Sequence, residues 1–145
     1  MTDIMVDNIN TTVRKHDILI HLGDVAFGGK GNVQKFLQRI NCRNLVLLAG
    51  NHDYGSAATG NVILECDYLE IRLNNTLVCM FHYPIASWNE MHHGSIMLHG
   101  HTHMKYEGEG RIKDVEINSN NMFPYELNTV VNELLQIPMV DNKRH

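Results

Sequence analysis

Residues 44–53 read NLVLLAGNHD: an apolar run from Leu45 to Ala49 stops at Gly50 and gives way to Asn51, His52 and Asp53. A short unbroken apolar run closed by glycine predicts a strand buried on both faces, because it offers no polar side chain to a solvent face. Upstream, residues 17–22 (DILIHL) repeat the pattern and run into Gly23 and Asp24. Between the two runs, residues 28–31 predict a flexible loop. Val33, Phe36, Leu37 and Ile40 then recur at helical spacing behind Asn32, a residue suited to cap a helix. Strand, helix, strand makes a βαβ unit and an α/β fold.

Working outward, Ile4, Met5, Ile9 and Val13 predict a helix within residues 3–15. After Gly60 the pattern changes. Residues 67–73 alternate, Asn74 and Asn75 signal a turn, and residues 76–81 run apolar, which predicts an antiparallel hairpin. Residues 95–98 read as a further strand and residues 111–118 alternate again. Pro124 precedes a last helix over residues 125–137, with Leu127, Val130, Val131, Leu134 and Leu135 on its inner face and Pro138 as its stop. No repeat or low-complexity linker divides the chain, so residues 1–145 are expected to form one domain.

Composition excludes some functions. Lys and Arg number 12 against 16 Asp and Glu, a net charge of −4, which argues against a tight grip on duplex nucleic acid. No apolar stretch has the length of a membrane span and no basic segment leads into an apolar one near Met1, so a cytoplasmic protein without a membrane partner is expected. Cys42, Cys66 and Cys79 read as free thiols of a reducing compartment. The glycine-rich stretch around Lys30 lacks the spacing of a nucleotide-binding phosphate loop.

Histidine is the outlier. Of ten, six (His82, His92, His93, His99, His101 and His103) fall within 22 positions. Imidazole is the commonest protein metal ligand and titrates nearest neutrality. Four expected strands end in such groups: Gly23-Asp24, Gly50-Asn51-His52-Asp53, His82-Tyr83-Pro84 and Gly100-His101-Thr102-His103. In open α/β sheets ligands bind beyond the carboxyl ends of strands. Any one of these ends alone is ordinary turn chemistry. Together, Asp24, Asn51, His82, His101 and His103 mix hard oxygen with borderline nitrogen donors, a set suited to Mn²⁺, Fe²⁺ or Zn²⁺ rather than Ca²⁺. His92 and His93 read as solvated surface, and His99 as packed or hydrogen-bonded.

The stretches HLGDVAFG, LLAGNHD, FHYPIASW and LHGHTH resemble the calcineurin-like metallophosphoesterases, above all their small bacterial and phage members. The resemblance implies a metallophosphoesterase-like β-sandwich of two mixed sheets flanked by helices. It implies that Asp24 bridges two divalent metals, that Asn51, His82 and His101 complete the second metal, and that His103 binds the first. His52 would face the phosphate as a proton donor, oriented by Asp53. Tyr83, Ser87 and Trp88 would either line the phosphate pocket or form a structural loop with Trp88 packed inward. Mn²⁺ is the expected cofactor, with Zn²⁺, Fe²⁺ or Ni²⁺ as alternatives, at one or two ions per chain.

The family pattern opens with a strand ending in Asp-x-His, which supplies two ligands to the first metal. No Asp-x-His precedes Asp24 in this chain. The resemblance therefore implies a fold without its first strand, a chain N-terminally short relative to the family, and an exposed sheet edge for a second copy to cover. His16 and His21 are the nearby replacements, although His21 reads as part of the strand before Asp24. The expected activity is metal-dependent hydrolysis of a phosphodiester, with a small nucleotide-type substrate, weakened by the two absent ligands. The alternative is a one-metal or non-catalytic member acting as a binding module.

Overall fold

A computed structural model describes residues 2–23, 30–48, 60–100 and 108–139. The elements run α1 (Thr2–Thr12), β1 (Ile18–His21), α2 (Lys30–Gln38), β2 (Asn44–Leu48), β3 (Val62–Cys66), β4 (Tyr68–Leu73), β5 (Thr76–Phe81), β6 (Ile96–His99), β7 (Ile112–Asp114) and α3 (Leu127–Leu135). One sheet has the order β1-β2-β3 and is parallel throughout; the other has the order β4-β5-β6-β7 and is mixed.

Strand alternation builds the layers. On β2, Leu45 and Leu47 face α1 and α2, joining Val6, Ile9, Phe36, Leu37, Ile40 and Cys42. Val46 and Leu48 face the other way, into a core shared with Val78, Met80, Ile96 and Leu98 of the four-stranded sheet. Helix α3 adds Val130, Val131 and Leu134 to that core. The outer face of β5 and β6 presents Leu77, Cys79 and Met97, which the segment between these strands covers with Trp88 and Met91. The central strands β2, β5 and β6 are thus buried on two sides, as their apolar runs require.

The β4–β5 hairpin turns at Asn74 and Asn75, whose φ angles of 51° and 71° are those of a primed two-residue turn. Three boundaries differ from expectation. Helix α2 begins at Lys30, so the end of the expected glycine loop is helical. Strand β7 ends at Asp114, and residues 117–120 form a 3₁₀ turn where the alternation predicted more strand. Helix α3 begins after Glu126, whose side chain accepts from the Thr129 N–H. Strand β3, unforeseen, completes the parallel sheet through a register shift opposite Leu45 and Val46.

Candidate metal centre

The parallel runs of both sheets leave their carboxyl ends at one side of the sandwich. Leu22 follows β1, His82 follows β5 and Gly100 follows β6. These three positions converge. The Gly100 N–H donates to the His82 carbonyl oxygen at 3.0 Å. A Cβ placed on Gly100 would lie 3.9 Å from the His82 oxygen and from both the Cβ and the oxygen of Leu22. Gly23 leaves β1 at a φ of 99°, a left-handed conformation that glycine adopts without a Cβ penalty.

His82 is 1% exposed. Its Nδ1 lies 2.6 Å from the Leu22 carbonyl oxygen. A carbonyl only accepts, so Nδ1 carries the hydrogen, and Nε2 is the ring atom that a metal would take. Metal-ligating histidines commonly have this arrangement, with the second nitrogen donating to a carbonyl that fixes the tautomer and the ring plane. The ring also meets Tyr83 edge to face, centroids 4.6 Å apart. His82 therefore fits the ligand role implied by its sequence context.

Asp24, Asn51, His52, Asp53, His101 and His103 lie outside the described residues. Asp24 follows Gly23 directly, Asn51 comes three residues after the end of β2, and His101 follows Gly100. Among the described residues no three His, Cys, Asp or Glu side chains gather as a metal site.

The remaining histidines sort by environment. His99 is 1% exposed and its Nδ1 donates to the Gly100 oxygen at 3.0 Å, the packed and hydrogen-bonded role expected of it. His21 ends β1, and its Nδ1 accepts from the Gly23 N–H at 3.1 Å, so that nitrogen is committed to the turn. His16 precedes β1, at the opposite end of the strand from Gly23. His92 and His93 lie in a 3₁₀ turn that begins at Met91; His93 is exposed as expected, whereas His92 is half-buried. Trp88 packs inward at 7% exposure, and Ser87 is exposed.

One group escaped sequence reasoning. Asp114 pairs in register with His99 at the carboxyl end of β7 and is 5% exposed. Its Oδ1 accepts from the Glu116 N–H at 2.9 Å. The alternation of residues 111–118 hid it, since a lone aspartate in such a stretch has no signature of burial.

The family model of the calcineurin-like phosphoesterases matches residues 4–136, nearly the whole described chain. The chain belongs to the calcineurin-like phosphoesterase family. This is a family of metal-dependent phosphoesterases that generally bind divalent metals, and the match spans all four strand-end motifs of this calcineurin-like phosphoesterase. Among solved structures it is similar to a protein of unknown function, AQ665, from Aquifex aeolicus. The two share 18% identity over 91% of this chain and 84% of that one, with a TM-score of 0.68, a likeness of fold. No curated protein matches the chain. No helix among the described residues is long and apolar enough to cross a membrane.

Proposed function

We propose that this calcineurin-like phosphoesterase is a phosphodiesterase acting on a small nucleotide-type phosphoester, with Mn²⁺ as its preferred metal. The observation that supports this reading is the buried His82 imidazole, held by the Leu22 carbonyl where the ends of β1, β5 and β6 converge. His82, with Asp24, Asn51, His101 and His103, would hold the cations. Bound divalent cations supply Lewis-acid stabilisation of phosphoryl charge and lower the pKa of water. His52 would give a proton to the leaving oxygen, and Asp53 beside it in sequence would orient that imidazole and favour its charged form.

A second reading, a one-metal or non-catalytic binding module, is favoured by one observation. Among the described residues strand β1 stands at the edge of its sheet, with Ile18 65% exposed, an edge that a second copy would cover. Metal content and turnover separate the two. Wild type and Asp24→Ala are loaded with Mn²⁺ or Zn²⁺, desalted and analysed for metal, then assayed on a chromogenic phosphodiester and a phosphomonoester. The phosphodiesterase reading expects bound metal and turnover in wild type, both reduced by Asp24→Ala. It also expects His52→Ala to keep its metal and lose turnover. Metal-loaded wild type without turnover supports the binding module instead.

A further inference from the structure

Charge is unevenly distributed along the chain. Residues 8–52 hold six Lys and Arg (Arg14, Lys15, Lys30, Lys35, Arg39 and Arg43) and two acids, Asp17 and Asp24, so this stretch is +4 in a chain of −4. The fold collects three of these cations in one place. A cleft of about 520 Å³ opens where the end of α1 meets the α2–β2 connection, lined by Arg14, Lys15 and Arg43 with the amides of Asn10, Gln38 and Asn41. It lies at the amino ends of β1 and β2, the opposite end of the sheet from Gly23.

The walls are set by hydrogen bonds. Asn10 donates from Nδ2 to the Arg39 oxygen at 2.8 Å and accepts at Oδ1 from the Asn41 N–H at 2.8 Å. The Arg43 N–H donates to the Lys15 oxygen at 3.0 Å. No carboxylate lines the cleft. The nearest acid in sequence, Asp17, accepts at Oδ2 from the Arg14 backbone N–H. Asp3 is paired with Arg39. Among the described residues no ion pair involves Arg14, Lys15 or Arg43. Three like charges around a concavity create a positive potential that an anion relieves, and guanidinium forks match the oxygens of phosphate.

We propose that this cleft is a binding site for a small, multiply charged phosphate anion, separate from the metal centre. The volume lies within the range of small-ligand sites, and the amides supply donors and acceptors around the cations. The site needs no metal, which sets its test apart from that of the phosphoesterase reading.

Inorganic pyrophosphate is titrated calorimetrically into the full chain at low salt, with chelator present. Wild type, R14Q/R43Q, K15Q and D24N are compared, with folding checked by circular dichroism. The expected result is saturable 1:1 binding that weakens with salt. The double variant should lose about tenfold or more in affinity, as removal of charge-assisted hydrogen bonds does, while D24N binds like wild type. Amide NMR shifts on titration should centre on Arg14, Lys15 and Arg43, and K15Q should weaken binding even where the double variant folds poorly. Equal affinity in wild type, R14Q/R43Q and K15Q would overturn the proposal, as would the absence of saturable binding in wild type. Binding abolished by D24N alone would move the anion to the phosphoesterase site and overturn it as well.

Discussion

The side-chain amide of Asn61 donates to the carbonyl oxygen of Leu37 at 3.0 Å, and lies 3.4 and 3.5 Å from the oxygens of Ile40 and Cys42. The end of α2 is thereby joined to the residue before β3. Asn61 is 3% exposed, and its own carbonyl accepts from the Leu45 N–H. Carbonyls at a buried helix end need such a donor. Asn61→Leu should cost about 1–3 kcal/mol, because it removes the buried donor that these three carbonyls share. Urea denaturation of the variant should show a lower midpoint at unchanged slope.

His82 bonds to Leu22 and is a proposed metal ligand, and two readouts of one substitution separate these roles. His82→Ala removes the donor to Leu22 and the proposed ligand nitrogen together. The chelator-treated variant should lose about 1–3 kcal/mol, because the Leu22 oxygen loses a buried partner. Its metal content after loading should fall below that of wild type. An unchanged metal content with a lowered melting temperature would leave His82 a purely structural residue.

Glu126 caps α3, and the Thr129 N–H that it binds holds its carboxyl below the ordinary value of 4.5. A lowered folded pKa contributes stability that is present above the unfolded value and is lost as pH falls through the folded one. The difference in melting temperature between wild type and Glu126→Ala should be full near neutrality. It should shrink below pH 4.5 and vanish once the carboxyl is protonated in the folded state. A difference independent of pH would mean that the charge contributes nothing.

Cys42 and Cys79 are buried, while Cys66 is part-exposed. Burial raises the Cys66 thiol above its ordinary value, with Asp67 adding to the shift, and burial is also the main cause of the upward shift at Cys79. The thiolate is the reactive form. Alkylation of the native protein at neutral pH should therefore be slow and confined to Cys66, and all three should react fully only in denaturant. Mass spectrometry of the labelled peptides reads this directly.

The parts of the fold that sequence reading captured have strong local causes. The unbroken run of β2 required burial on two faces, and Asn74 with Asn75 could take the positive φ values that their hairpin demands. Strand β3 was missed because Val62–Cys66 does not alternate: its burial runs from half-buried ends to an exposed middle, and the single residue Asp67 separates it from β4. The end of β7 was misread because alternation continues into a 3₁₀ turn of similar composition. At the site, His82 could be singled out from its place at a strand end. Its bond to Leu22 could not, because a backbone carbonyl has the same signature in every residue. Asp24, Asn51, His52, Asp53, His101 and His103 were legible as motifs and lie outside the described residues.

The Leu22–His82 hydrogen bond joins the parallel sheet to the mixed one. A slip of one residue between the layers, about 3.3 Å, would break it and carry the ends of β1 and β5 out of step. The two sheets therefore share a latch beside the proposed metal ligands, and a cation gripping residues from both would tighten it. Any ligand that binds only the latched arrangement raises the melting temperature, and goes on raising it with the logarithm of its concentration above Kd. Thermal denaturation is then a gauge of whether the halves of the sandwich are seated.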